Sequence, residues 1–403
     1  MTISPEPMTQ PRKTTREATM NQTIEPYQIQ VSDDQVRDLR ERLARTRYPN
    51  QLTGAGWNHG TERDYLRQLC EHWRTEYDWQ QQAAQLVGLP HFATAIDGQR
   101  VHFIHRRSPE PDALPLILLH GWPGSVYEFA HIASRLADPI ADGAAAGDAF
   151  HVICPSLPGF GFSGPTDEQG WDVLHVARAM VELMARLGYT RYGIQGGDLG
   201  AIVATHMSLL DAERVAGLHL NTVLAPLPEP GQSLEGLTPE LRAEAMAAQA
   251  FMVREMGYAA IKSTKPQTLG YALEDSPAGL AAWIVEKFRA WSDCNGDVET
   301  RFTRDQLLTN ISIYWFTHTA TSASRLYYES ALTGRFGPAD EAVTVPTGCA
   351  LFPREPFRPP RAMASQLYNI TRWTEMPSGG HFAALEEPDL LVDDIRSFFR
   401  TLR

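Results

Sequence analysis

Tyr192-Gly193-Ile194-Gln195-Gly196-Gly197-Asp198-Leu199-Gly200 reads as a buried strand running into a glycine-lined turn and then a helix. Small residues on both sides of Asp198 let the chain bend sharply and expose the central side chain. The pattern is a G-x-nucleophile-x-G elbow with a carboxylate where a serine commonly stands. A serine alkoxide attacks acyl carbonyls, whereas a carboxylate attacks an sp³ carbon and leaves an alkyl-enzyme ester. The competing reading is a glycine-rich turn with an ordinary turn Asp, and the surrounding chain has to decide between them.

On the N-terminal side of the elbow the texture is that of a sheet with crossover helices. Phe92–Ile96, Asp97-Gly98 and Val101–Ile104 read as a hairpin with a D-G turn. Leu116–Leu119 is a buried strand with a helix expected around Val126 to Leu136, and Phe150–Cys154 is a strand with a helix from about Val173 to Leu187. After the elbow come a helix and a strand at Leu218–Leu220. From about Leu224 to Arg335 the pattern is mainly helical, entered through the proline-rich Pro226–Pro230, and strand signals resume at Val345–Phe352. A helical insertion between two sheet-building halves is expected to cap the C-terminal edge of the strands, where such sheets bind ligands.

Further upstream, Ser32-Asp33-Asp34-Gln35 has the spacing of a capping box, and Val36, Leu39 and Leu43 follow on one helical face. A second amphipathic helix runs from about Thr61 through Tyr65, Leu69, Trp73 and Tyr77. Neither helix could bury its apolar face alone. The expected organisation is a disordered tail over 1–22, an N-terminal helical region over 23–90 packing on the core, a first core half over 91–224, a helical lid over 225–335 and a second core half over 336–403.

The 403 residues are enough for a large core plus an accessory region. The chain is 43% hydrophobic and 21% charged, as in ordinary globular proteins, and its formal net charge of −12 argues against nucleic acid or an anionic membrane as the main partner. Cys70, Cys154, Cys294 and Cys349 are scattered, with no C-x-x-C pair or histidine cluster. No metal, cofactor or disulfide framework is expected, and a reducing cytoplasm fits. No apolar run approaches the roughly 20 residues that span a bilayer, and residues 1–22 lack the apolar core of a signal peptide.

The loop His120-Gly121-Trp122-Pro123-Gly124-Ser125 follows the Leu116–Leu119 strand. In hydrolases with such an elbow this loop gives one backbone N–H to the oxyanion hole, and the residue after the nucleophile gives the other. Trp122 and Leu199 are the expected donors, with Pro123 restricting Trp122 to extended geometry. His120, at the strand end, reads as a structural hydrogen-bonder rather than a base. A base is still needed to hydrolyse the ester. Of thirteen histidines, His381 stands in Ser378-Gly379-Gly380-His381-Phe382, a flexible turn after the last strand, and completes the order nucleophile, acid, histidine. The acid that orients it is read as Glu355 in Pro353-Arg354-Glu355-Pro356, with Glu375 as its rival. Glu386 and Glu387 are assigned to the dipole of the helix that follows.

With Asp198, the Trp122 loop and His381 in place, the chain resembles the epoxide hydrolases of the α/β-hydrolase superfamily, most of all the microsomal type with its extra N-terminal domain. The resemblance extends from about Glu25 to Arg403 and includes Gly159-Phe160-Gly161-Phe162-Ser163 and the Gly379–Pro388 segment. It implies an α/β-hydrolase fold: a mostly parallel sheet flanked by helices, with a helical lid insertion and a helical N-terminal extension. It further implies two lid tyrosines that bind the epoxide oxygen. Tyr258, in Glu255-Met256-Gly257-Tyr258, matches the first, and Tyr327 matches the second with Tyr328 as an adjacent competitor. Phenol donors opposite a carboxylate suit a ring opening that develops alkoxide charge. One departure stands out: microsomal relatives carry tryptophan directly after the nucleophile, and this chain has Leu199. The backbone N–H survives that change, but the pocket wall differs. The membrane anchor of the animal proteins has no counterpart here, which implies a soluble relative.

The expected activity is conversion of an epoxide and water to a vicinal diol through a hydroxyalkyl ester on Asp198, with no cofactor. Phe251, Trp283, Trp315 and Phe316 suggest an apolar or aromatic substrate. A haloalkane dehalogenase would share the Asp nucleophile but needs N–H donors around a halide instead of lid phenols. A non-catalytic binding protein of the same fold is the reading from another class, and a homodimer is compatible with the sequence.

Overall fold

The computed structural model describes residues 23–225 and 238–403. The expected tail over 1–22 and the proline-rich Pro226–Pro230 lie outside the described residues. A nine-stranded sheet runs through the molecule in the order β1-β2-β3-β5-β4-β6-β7-β8-β9. Its strands are β1 Glu25–Pro26, β2 His91–Ile96, β3 Gln99–Arg106, β4 Leu114–Leu119, β5 Phe150–Pro155, β6 Tyr192–Gly196, β7 Val215–Leu220, β8 Val343–Leu351 and β9 Tyr368–Glu375. The strands from β4 to β9 are mutually parallel, and β1 to β3 add an antiparallel edge.

The hairpin forms as its sequence predicts. Asp97 and Gly98 both take positive φ, 49° and 78°, as the tight turn that matches strand twist requires. Apolar runs become the central strands because both of their faces are covered: Leu116, Ile117, Leu118 and Leu119 have no exposed surface. The helix expected from Val126 to Leu136 is broken. A 3₁₀ turn spans Val126–Phe129 and a short helix Ile132–Ala137. The tighter turn eclipses residues three apart, which sends both Val126 and Phe129 into the core.

Helices α1 Asp33–Ala44 and α2 Arg63–Thr75 form the N-terminal region, and the capping box of Ser32 and Gln35 closes the first as predicted. Their packing corrects one expectation. They lie chiefly on the helical insertion, not on the sheet core, while β1 joins the sheet edge. The Trp73 indole N–H donates to Ser312 at 3.1 Å, the Tyr77 hydroxyl pairs with Thr309 at 3.0 Å, and the Thr61 hydroxyl donates to the carbonyl of Ala282 at 2.7 Å. The apolar face of Leu66, Leu69 and Trp73 meets insertion helices that bury apolar surface on more than one side.

The insertion comprises α3 Pro239–Glu255, α4 Gly257–Thr264, α5 Pro266–Asp275, α6 Pro277–Trp291, α7 Arg304–Thr317 and α8 Ala320–Leu332. It sits between β7 and β8, over the carboxyl ends of the parallel strands. No helix among the described residues is long and apolar enough to cross a membrane.

Candidate active site

Asp198 occupies the bend between β6 and the helix Leu199–Leu210, with φ 51° and ψ −129°. A non-glycine residue held there is strained, and only tight surroundings keep it. Those surroundings are glycines. A methyl at Gly200 would overlap the Leu119 carbonyl oxygen, and one at Gly121 would overlap the Asp198 carboxylate. The strand, the turn and the Trp122 loop can therefore close on one another, and the Trp122 N–H donates to Asp198 Oδ1 at 2.8 Å. Leu199 opens the helix, so its amide has no intrahelical acceptor.

His381 stands on the opposite side of the carboxylate, its Nε2 3.4 Å from Asp198 Oδ2 and its Nδ1 2.8 Å from Glu355 Oε2. Its loop is pinned by the His381 amide donating to the Trp291 carbonyl at 2.9 Å. Glu355 is itself fixed: Oε2 accepts from the Thr222 hydroxyl at 3.1 Å and Oε1 from the Phe357 amide at 3.1 Å. Burial alone would depress the His381 pKa, but the Glu355 and Asp198 carboxylates more than reverse it and hold it well above the usual histidine range. Glu375, the rival acid, is exposed at the end of β9. His120 accepts from the Leu157 amide through Nε2 and pairs with the Gly121 carbonyl through Nδ1, while burial lowers its pKa to about 4. It is a neutral structural residue. Glu386 does more than face a helix dipole: its carboxylate accepts from the amides of Asp293 and Phe382 at 2.8 and 3.0 Å, and Glu387 pairs with Arg301 at 2.9 Å.

Above Asp198 a cavity of about 590 Å³ opens beneath the insertion. Tyr258 of α4 and Tyr327 of α8 line it, with ring centres 6.1 Å apart, and Tyr328 instead points to the surface with 37% exposure. The Tyr258 ring stacks on Trp122 at 4.9 Å. Burial, and then neighbouring negative charge, pushes both phenols well above their ordinary pKa, so both remain donors. Leu199, Ile202, Val223, Phe336 and Phe357 supply apolar wall. Of the four aromatics expected to mark a substrate pocket, only Phe251 lines this cavity. Trp315 and Phe316 pack under the N-terminal region against Arg42 and Trp79, and Trp283 lies 6.4 Å from Trp122. Helical position alone did not separate the two faces.

Residues 24–129 match the family described as Epoxide hydrolase N terminus, and residues 115–252 match the alpha/beta hydrolase fold family. Epoxide hydrolase 1 of Sus scrofa is 38% identical over 410 residues, covering 96% of this chain and 90% of that protein. This chain belongs to the epoxide hydrolase family. The solved juvenile hormone epoxide hydrolase of Bombyx mori superposes with a TM-score of 0.84 at 30% identity, over 96% of each chain. The Aspergillus niger epoxide hydrolase gives 0.83 at 30% identity, over 95% of this chain and 98% of its own. The α/β-hydrolase fold and epoxide hydrolysis are thus features of this protein.

Two residues beside this candidate site escaped the sequence reading. Glu128 lines a second, small cavity of about 20 Å³ below the elbow, with Asp198, His381 and Asn221. That is room for about one water. Burial and the Asp198 charge push the Glu128 carboxyl up to about 8, against the pull of His381. Lys262 is fully buried one turn after Tyr258. An acidic residue in an apolar turn and a lysine in a short helix carry no motif, so only the tertiary contacts reveal them.

Proposed function

We infer that this epoxide hydrolase works through a covalent ester on Asp198, with the two chemical steps approached from opposite sides. The observation that carries this reading is that Asp198 lines both cavities and is the only residue common to their linings among the described residues. The large apolar cavity delivers the epoxide. Asp198 Oδ2, the oxygen not held by Trp122, attacks a ring carbon; the C–O bond breaks and the ring oxygen takes a proton from Tyr258 or Tyr327. The small cavity supplies water. His381 removes a proton from it, and the hydroxide oxygen attacks Cγ of Asp198. Charge then develops on Oδ1, at the amides of Trp122 and Leu199. Collapse releases a vicinal diol carrying Oδ2, which takes its proton from His381, and the proton left on the new carboxyl passes to His381, restoring the carboxylate and the imidazolium.

The order of steps follows from charge. While Asp198 is ionised it helps keep His381 protonated. Esterification removes that negative charge, so the imidazolium gives its proton through solvent to the phenolate and becomes a competent base only after the ester exists. The helical insertion serves as the lid, and the apolar wall suits an apolar or aromatic epoxide. The four cysteines are free and buried, which suits the cytoplasm.

A single turnover in ¹⁸O-water tests the covalent step: the first diol should carry unlabelled oxygen from Asp198, and label in that first diol would overturn the reading. Asp198→Asn should abolish turnover, and His381→Gln should accumulate the ester, detectable by intact-protein mass.

A further inference from the structure

Two lysines are buried among the described residues, and they differ in their company. Lys287 has Glu286 at 2.7 Å and Glu255 at 3.5 Å. Lys262 has no exposed surface and no hydrogen-bond partner for its amine. Instead Nζ lies 2.9 Å from the ring centre of Trp122, 4.5 Å from that of Tyr327 and 5.5 Å from that of Tyr258. Those rings belong to the oxyanion loop and to both phenols. An unpartnered buried amine costs stability, so its position beside the reacting groups calls for a role there.

We propose that Lys262 is a positioning residue for ring opening: from behind the aromatic walls it stabilises the negative charge that the phenols acquire when the epoxide breaks. This rests on the reading that Tyr258 and Tyr327 protonate the ring oxygen. The reaction moves one negative charge from the Asp198 carboxylate to a phenol. Lys262 makes no hydrogen bond to Asp198, yet it lies against both phenol rings. A positive charge there favours the product of the first step over its start, which is the condition for accelerating it.

The groups facing the amine set its charge. Tyr258 shares its helix, Tyr327 comes from α8, Asp198 from the elbow and Lys287 from α6. Burial draws the Lys262 pKa well below the usual lysine range, Asp198 opposes this and Lys287 adds to it. Proton loss from Lys262 therefore gives the alkylation rate a limb that falls as pH rises.

The experiment is rapid-mixing single turnover with enzyme in excess over styrene oxide, following ester formation and ester decay separately across pH. Lys262→Met and Lys262→Gln should alkylate about tenfold more slowly or worse, lose the Lys262 limb, and hydrolyse the ester at close to the wild-type rate. Lys262→Met should also melt no lower than wild type, because it replaces an unpartnered amine with an apolar chain. Wild-type alkylation by both variants would overturn the proposal. So would equal loss of both steps, or melting of both variants well below wild type, since either marks a packing role. Tyr258→Phe and Tyr327→Phe in the same assay separate the two readings: if the phenol reading fails, these alkylate normally, whereas if only the lysine inference fails, they are slow and the Lys262 variants are not.

Discussion

Glu128 and His381 flank the same one-water cavity, and their charges are set in opposite directions. Burial keeps the Glu128 carboxyl protonated to about pH 8, while Glu355 and Asp198 keep the resting imidazole charged. A protonated Glu128 still offers a carbonyl acceptor, which can hold a water by one hydrogen while His381 takes the other. Glu128→Gln should preserve that acceptor and leave ester decay close to wild type, whereas Glu128→Leu should slow ester decay by about tenfold or more with alkylation unchanged. Rapid-quench analysis of the ester checks both. The stability of the two states also separates. The folded-state pKa of Glu128 is raised from 4.5, so its contribution is complete below pH 4.5 and is lost as pH rises through about 8. Relative to Glu128→Gln, wild type should therefore lose stability across that window, as read from paired thermal melts.

At the scale of elements, the elbow depends on how closely backbone can approach backbone. Gly200 lies against the carbonyls of Leu119 and His120, and a methyl at Gly196 would come within 2.5 Å of the Gly200 oxygen. Gly200→Ala must push the helix away from β4, at a cost on the order of 3 kcal/mol. It should also detach the Trp122 N–H from Asp198. Melting temperature and the fraction of enzyme that forms ester with excess epoxide would fall together; an unchanged ester fraction would show that the elbow tolerates the displacement.

For the whole molecule, the N-terminal region acts as a clamp on the insertion. Trp73 is buried between them and donates to Ser312 of α7, while Arg42 reaches Asp275 at 2.8 Å. Trp73→Ala should cost about 3–5 kcal/mol. Hydrogen exchange should rise in α6 and α7 while β4 and β6 stay protected; uniform loss of protection would mean that clamp, insertion and sheet unfold as one unit.

How much of this was legible in the sequence depends on whether a feature is local. The elbow around Asp198, the Asp97-Gly98 turn and the Ser32 capping box rest on short-range backbone rules, so residue type and spacing determine them, while the candidate order Asp198, Glu355, His381 was legible from where each residue stands relative to the strands. The broken helix at Val126, the separation of Tyr327 from Tyr328, and the removal of Trp315 and Phe316 from the pocket depend on which face of a helix meets which neighbour. The clamp, the two cavities meeting at Asp198, and the charges of Glu128 and Lys262 depend on desolvation by residues far away in the chain. The sequence by itself determined the candidate groups and the frame that carries them. Only the tertiary structure decided which groups face the large cavity, which face the small one and which are stripped of solvent, because burial and electrostatic environment arise from contacts that no local pattern encodes.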